Sequence, residues 1–129
     1  MTRLVLALVA ICFGSLSLSQ AADPPAKTPK DTCVKPCMDC AAECLKCMKH
    51  CREMKMEDMA NMCEVCHHAC LMCATAVKGK TMNAWAACEL CEKMCVDCGA
   101  MCEKGEHEIM KKCAEACKMC AKACADARK

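Results

Sequence analysis

Residues 33–51 read CVKPCMDCAAECLKCMKHC, with cysteine at 33, 37, 40, 44, 47 and 51. The steps alternate four and three. An α-helix turns once in about 3.6 residues, so this alternation holds every cysteine on one stripe of a helix. A strand would need steps of two. The residues in between are mostly Ala, Glu, Lys and Met, which favour helix. Three more segments repeat the rule: Cys63, Cys66, Cys70, Cys73; then Cys88, Cys91, Cys95, Cys98, Cys102; then Cys113, Cys117, Cys120, Cys124.

The pattern breaks where helix boundaries belong. Pro36 is tolerated near a helix start if helix one begins at about Lys35, which leaves Cys33 just outside. Gly79 suits the end of helix two, Thr81 or Asn83 the cap of helix three, and Gly105 the break before helix four. Gly99 lies inside helix three and reads as the close approach of a neighbour. Four amphipathic helices on short loops give an all-α fold, an antiparallel up-down four-helix bundle with a cysteine-lined core, over residues 33–129.

Residues 22–32 form a linker carrying Pro24, Pro25 and Pro29, and residues 1–21 read as a signal peptide. Arg3 gives the positive start, Leu4 to Leu18 the apolar run, and Ser19-Gln20-Ala21 the cleavage site. The run is short for a membrane span, although an N-terminal anchor is the competing reading. With no twin-arginine pair, Sec-type export to the periplasm or the extracellular space is expected, with no membrane attachment after cleavage. The formal charge of +2 drops by one when Arg3 leaves. A near-neutral chain argues against nucleic acid and against anionic lipid as partners.

The composition is abnormal for a packed domain. Tyr is absent, Phe13 sits in the leader, and Trp85 is the one aromatic beyond it. Few branched aliphatics remain, a scarcity that elsewhere signals disorder. Disordered segments lack such regular spacing. The interior must therefore be built from Cys, Ala and Met, and held by something besides ordinary hydrophobic burial.

A thiol-lined interior has several readings. Disulfides are the usual meaning of a cysteine-rich secreted chain. Helix neighbours three or four apart, however, have Cβ atoms about 5–6 Å apart, and a disulfide needs about 3.5–4.5 Å. Structural zinc takes four tetrahedral ligands, commonly two short Cys pairs far apart in sequence, and would leave about two negative charges per tetrathiolate in the core. Iron–sulfur clusters use converging loop cysteines. Cu(I) is soft and monovalent, is selected by thiolate and thioether, and can share sulfurs along a ladder, each ion cancelling one thiolate charge. Its binding free energy would also become folding free energy.

Extending the stripes distinguishes the two ends. Cys51 continues to Met54, Cys63 runs back to Met59 and Met56, and Cys113 runs back to Met110. In an up-down bundle these residues meet at one mouth, with Met62, Met101, His50 and His107 nearby. The other end runs into Val77, Ala84 or Trp85, and Ala127, which are apolar plugs. Methionine's ordinary role is to fill gaps in a core, and Met38, Met48, Met72, Met94 and Met119 are expected to do that between helices. His67 lies one step off a stripe, and His68 is expected on the surface.

These residues resemble the copper storage proteins, four-helix bundles with cysteine-lined cores. The likeness spans about Cys33 to Cys124 and rests on repeated units such as Cys37-Met-Asp-Cys40-Ala-Ala-Glu-Cys44 and Cys113-Ala-Glu-Ala-Cys117-Lys-Met-Cys120. It implies storage of multiple Cu(I) ions per chain on the 19 cysteines named, admission through one end of the bundle, and often a homo-tetramer. Met54, Met56, Met59, Met110, His50 and His107 correspond to ligands at that mouth. Two other functions compete: a scavenger of soft metals in general, such as Zn, Cd or Ag, and a disulfide-stapled structural module. An enzyme is not expected, since the pair Cys66-His67 arises by chance in such a ladder. The copper donor and acceptor are not identified by sequence.

Overall fold

The computed structural model describes residues 27–129, so the expected signal peptide and the first part of the linker lie outside the described residues. A 3-10 turn at Asp31–Cys33 leads into α1 (Val34–Glu53), α2 (Glu57–Lys78), α3 (Ala84–Glu103) and α4 (Glu108–Ala127). The described residues contain no strand. Acidic side chains open α2 (Glu57, Asp58) and α4 (Glu108), while Arg52 lies in the last turn of α1. Each complements the partial charge of its helix end.

The loops at 54–56, 79–83 and 104–107 are too short for anything but antiparallel neighbours. Each helix packs against the next, α4 closes back on α1, and the diagonal pairs make no close backbone approach among the described residues. The space between the diagonals is filled by side chains alone. No helix of the described residues is long and apolar enough to cross a membrane.

The start of α1 matches the reading of its proline. Pro36 lies in the first turn, and Cys33 stands just before the helix in the 3-10 turn. The caps around loop 79–83 differ from expectation. Gly79 keeps a right-handed conformation at φ −81°, and the left-handed residue is Lys80 at φ 50°. The chain reverses one residue later because the Lys80 amide still bonds the Val77 carbonyl at 3.1 Å. The Thr81 hydroxyl donates to the Ala76 carbonyl at 3.4 Å, so it closes α2 instead of opening α3. Asn83 stands at the N-cap of α3, just before Ala84, but makes no side-chain cap bond.

All 19 described cysteines are buried. Around them the helices meet through small residues, among them Ala41, Ala60, Ala74, Ala84, Ala114 and Ala127, with Val77, Met48 and Met110 as the larger pieces. None of the described charged residues is buried. Alanine contacts bring helices close and leave little room at the flanks. Met48 is buried and Met94 packs against the core as expected. Met38, Met72 and Met119, by contrast, stand 49%, 45% and 62% exposed on the outer flanks.

Candidate metal centre

The cysteine stripes of the four helices converge into a ladder of four-sulfur groups. In each group one ligand atom per residue lies within 4.8 Å of all the others. From the end that holds the chain termini, the groups include Cys33/Cys73/Cys88/Cys124, Cys37/Cys91/Cys120/Cys124, Cys40/Cys66/Cys70/Cys95, Cys40/Cys44/Cys66/Cys117 and Cys44/Cys98/Cys113/Cys117. Beyond them lie the contacts Cys63–Cys98 at 3.9 Å, Cys63–Cys102 at 3.8 Å and Cys47–Cys51 at 3.9 Å. Cys124 is shared by the first two of these groups, and Cys40, Cys44, Cys66 and Cys117 are shared among the other three; the Cys91–Cys70 contact at 3.8 Å joins the two sets.

The diagonals are bridged by sulfur. Cys37 and Cys40 of α1 reach Cys91 and Cys95 of α3 at 3.9 Å. Cys70 of α2 reaches Cys120 of α4 at 4.0 Å. Every described cysteine is a free thiol, and close pairs such as Cys37–Cys124 stand at 3.6 Å, against about 2.05 Å for a disulfide. Such spacing suits one soft ion between two or three sulfurs.

The thiols share protons unevenly. Burial, reinforced by the charge of Cys47, pushes the Cys51 thiol up to about 12. Hydrogen bonds from Cys113, Cys47 and Cys63 pull Cys102 down to about 5. Bonds from Cys124 and Cys37 lower Cys120 to about 7. Deep in the ladder, Cys37 and Cys95 are pushed up because they hold the proton shared with Cys120 and Cys117 respectively, with burial adding to this. The metal-free interior thus mixes thiols with thiolates, and a cation entering it displaces protons.

One end is closed. Val77, Ala84 and Ala127 are buried there. Pro29 is buried as well, and the Lys30 amide bonds the Ala127 carbonyl at 2.8 Å, drawing the two ends of the described chain together. Trp85 is partly exposed and carries Lys27 Nζ 5.5 Å and the Arg128 guanidinium 6.0 Å from its ring. Arg128 also pairs with Glu92. The Cys33 thiol lies 3.5 Å from the Lys30 carbonyl.

The opposite end carries the methionines. Met110 is fully buried, and Met56, Met59 and Met62 pack partly buried against the core. Met56 and Met59 also line a surface pocket with Met101, Lys55, Glu57 and Asp58. Met54 is half exposed. It follows the last residue of α1, where the chain has already begun to turn towards the left-handed Lys55. Gly105 makes room for Met110: a Cβ at residue 105 would meet its Sδ at 2.1 Å. His50 and His107 lie together, ring centroids 4.8 Å apart.

Two features have no simple sequence signal. The Nδ1–H of His67 donates to the Ala41 carbonyl at 2.7 Å, tying α2 to α1, and only its position beside the stripe hinted at a helix contact. The sharing of cysteines such as Cys40 and Cys117 between groups depends on the axial register of the helices, which spacing within a helix does not define. His68 is exposed as expected.

Comparison with known proteins gives a consistent family. The family model described as copper storage protein matches residues 26–129. An uncharacterized cysteine-rich protein of Bacillus subtilis (strain 168), YhjQ, is 32% identical over 98 residues, covering 73% of this chain and 91% of that protein. The structure of Cu(I)-bound copper storage protein BsCsp3 is similar with a TM-score of 0.72 and 27% identity, over 75% of this chain and 95% of the other. Apo-Csp3 (copper storage protein 3) from Bacillus subtilis gives the same TM-score and identity over 77% and 98%. With the family model spanning all of the described bundle, the chain belongs to the copper storage protein family.

Proposed function

We propose that this chain stores or sequesters many Cu(I) ions on its core cysteine thiolates. The observation that carries this reading is the ladder of four-sulfur groups from the closed end to Cys44/Cys98/Cys113/Cys117, continued towards the mouth by sulfur contacts of Cys63, Cys102, Cys47 and Cys51. Cu(I) fits it because a monovalent soft ion needs only two or three sulfurs and neutralises one thiolate each. The likeness to a Cu(I)-bound copper storage protein favours copper over other soft metals.

The chain's own residues act as ligands, as a plug and as a route. Ions pass the mouth formed by Met110, Met56 and Met59, with His50 and His107 at its edge, and move inward between neighbouring groups. Thioethers suit passage because they bind Cu(I) without a proton to displace. The apolar closed end bars exit there. Export by a Sec-type signal peptide, cleavage after Ala21 and assembly into a homo-tetramer complete the reading. Nothing in it calls for a catalytic group.

Anaerobic Cu(I) titration of the reduced protein is the test. We expect on the order of ten or more ions per chain. Saturation at one or two would overturn storage. Displacement of bound Cu(I) by equimolar Zn or Cd would favour the general scavenger. Mostly oxidised cysteine in protein from its native compartment would favour the disulfide-stapled module.

A further inference from the structure

The plugged end of the bundle and its mouth carry opposite charge. Segments 27–34, 76–83 and 125–129 meet at the plugged end. They hold six basic residues, Lys27, Lys30, Lys78, Lys80, Arg128 and Lys129, against the two carboxylates of Asp31 and Asp126. Segments 51–59 and 101–108 form the mouth and hold three basic residues against six acidic ones. The near-neutral balance of the whole chain conceals this asymmetry, because the two ends nearly cancel. The five lysines of the plugged end are exposed. Lys27, Lys30, Lys78 and Lys80 have no carboxylate partner among the described residues.

Apolar surface is exposed among these cations. Met82, in the loop between α2 and α3, is 80% exposed, the most of any large hydrophobic side chain described. Trp85 is partly exposed, with Lys27 and Arg128 over its ring. An indole has an apolar body and a polar N–H, and a lysine has an apolar stem below its ammonium. Both settle at a boundary between water and hydrocarbon. Arginine is the residue suited to nucleic-acid recognition, and the one arginine of this end already pairs with Glu92 and covers Trp85. Lysines around an exposed thioether and an indole suit an anionic lipid surface instead. The apolar run Leu4 to Leu18 also joins the fold through this end, at Lys27.

We infer that the plugged end docks on an anionic phospholipid bilayer, with Lys27, Lys30, Lys78 and Lys80 against the headgroups and Met82 and Trp85 at the acyl boundary. Clusters of about four to eight basic residues bind such surfaces through charge. The contact is peripheral, since no described helix is long and apolar enough to cross a membrane. The same surface repels the acidic mouth, so the bundle stands with its methionines facing away. A docked store then exchanges copper on its free side. That consequence rests on the proposed Met-lined route; the docking does not.

The experiment sediments the processed chain from Ala22, reduced and metal-free, with vesicles of phosphatidylcholine alone or mixed with phosphatidylglycerol. We expect binding to the mixed vesicles only, lost at about 1 M salt, where the screening length is about 3 Å. Trp85 emission should move to shorter wavelength on binding. K78E/K80E should weaken binding about tenfold or more, with K27E/K30E as the second variant should the first lose its helical circular dichroism. K49E/K111E makes the same change in net charge in the mouth half and should bind as the parent does. Absence of binding, equal binding to neutral vesicles, equal weakening by both kinds of variant, or tighter retention by duplex DNA at the same salt overturns the docking surface. Cu(I)-loaded protein on mixed vesicles should yield copper to a chelator as fast as it does in solution, and slower release overturns the orientation. Failure to hold copper at all would refute storage and leave the docking standing.

Discussion

Gly99 of α3 and Cys117 of α4 approach so closely that a Cβ on residue 99 would stand 3.2 Å from the Cβ of Cys117. This approach lets Cys98, Cys113 and Cys117 converge with Cys44. Alanine at 99 gains up to about 1 kcal/mol of helix propensity. The obstructing atom is fixed to the α4 backbone, however, so the helices must part by a few tenths of an ångström. We expect Gly99→Ala to be close to neutral in metal-free protein. Gly99→Leu should cost about 1–3 kcal/mol, read by urea denaturation, and should lower copper capacity. A Gly99→Leu protein with unchanged stability would contradict the close contact.

Sharing makes the cysteines unequal. Cys40 is shared by Cys40/Cys66/Cys70/Cys95 and Cys40/Cys44/Cys66/Cys117, whereas Cys33 stands at the closed end with Cys73, Cys88 and Cys124. Cys40→Ser should therefore lose more Cu(I) than Cys33→Ser and bind the remaining ions less tightly, while Cys33→Ser should lose about one ion. Titration of the two variants side by side gives the comparison. Equal losses would mean that the groups act independently.

Loading should release protons. The Cys51 thiol titrates at about 12, above its unfolded value of 9.0. A raised folded value favours the protonated, folded form. That contribution is intact below pH 9 and is lost as pH climbs towards 12. Cys102, at about 5, has the opposite sign: its contribution is present above the unfolded value of 9.0 and is lost as pH falls through 5. Cu(I) needs thiolate, so at pH 7 Cys51 must give up its proton and Cys102 largely has none to give. We expect an indicator in weak buffer to show fewer protons released than sulfurs engaged. Copper affinity should weaken as pH is lowered, because more thiolates are then protonated. No proton release at all would mean that the ladder is fully ionised before metal arrives.

The methionines at the mouth should differ in effect. Met110 is buried against Gly105, whereas Met54 is half exposed. Met110→Leu should slow Cu(I) loading more than Met54→Leu, and neither should change capacity much. Gly105→Ala should resemble Met110→Leu, since an added Cβ displaces that side chain. Stopped-flow loading in zinc-free solution is the measurement, and identical rates for all three variants would remove the methionines from the route.

The helices were legible because a step of three or four carries its own geometry. The four cysteine groups, the breaks at Gly79 and Gly105, and the position of Cys33 outside α1 all follow from period and local chemistry. The bundle followed from loop length. The placement of Met38, Met72 and Met119 was not legible, because a residue one step off the stripe turns inward or outward according to how near the next helix stands. Alanine contacts bring that helix close at Met48 and leave Met38 outside. Stripe extension assumes helix, and the helix ends at Glu53, so Met54 stands just past it at the C-cap. The caps at Thr81 and Asn83 depended on where the chain reverses, which Lys80 decides by one residue.

The bond from the Lys30 amide to the Ala127 carbonyl gives the molecule a handle and a port. Both ends of the described chain leave from the plugged end, and the methionine-lined end is free of either. A tag, a tether or a neighbouring domain joined through Lys27 or Lys129 therefore approaches from behind and leaves the port clear. The same arrangement dictates how the protein should be immobilised for metal-exchange work: attachment through either end of residues 27–129 keeps the methionines facing solution, whereas coupling through Lys55 or Lys104 would set the surface against them.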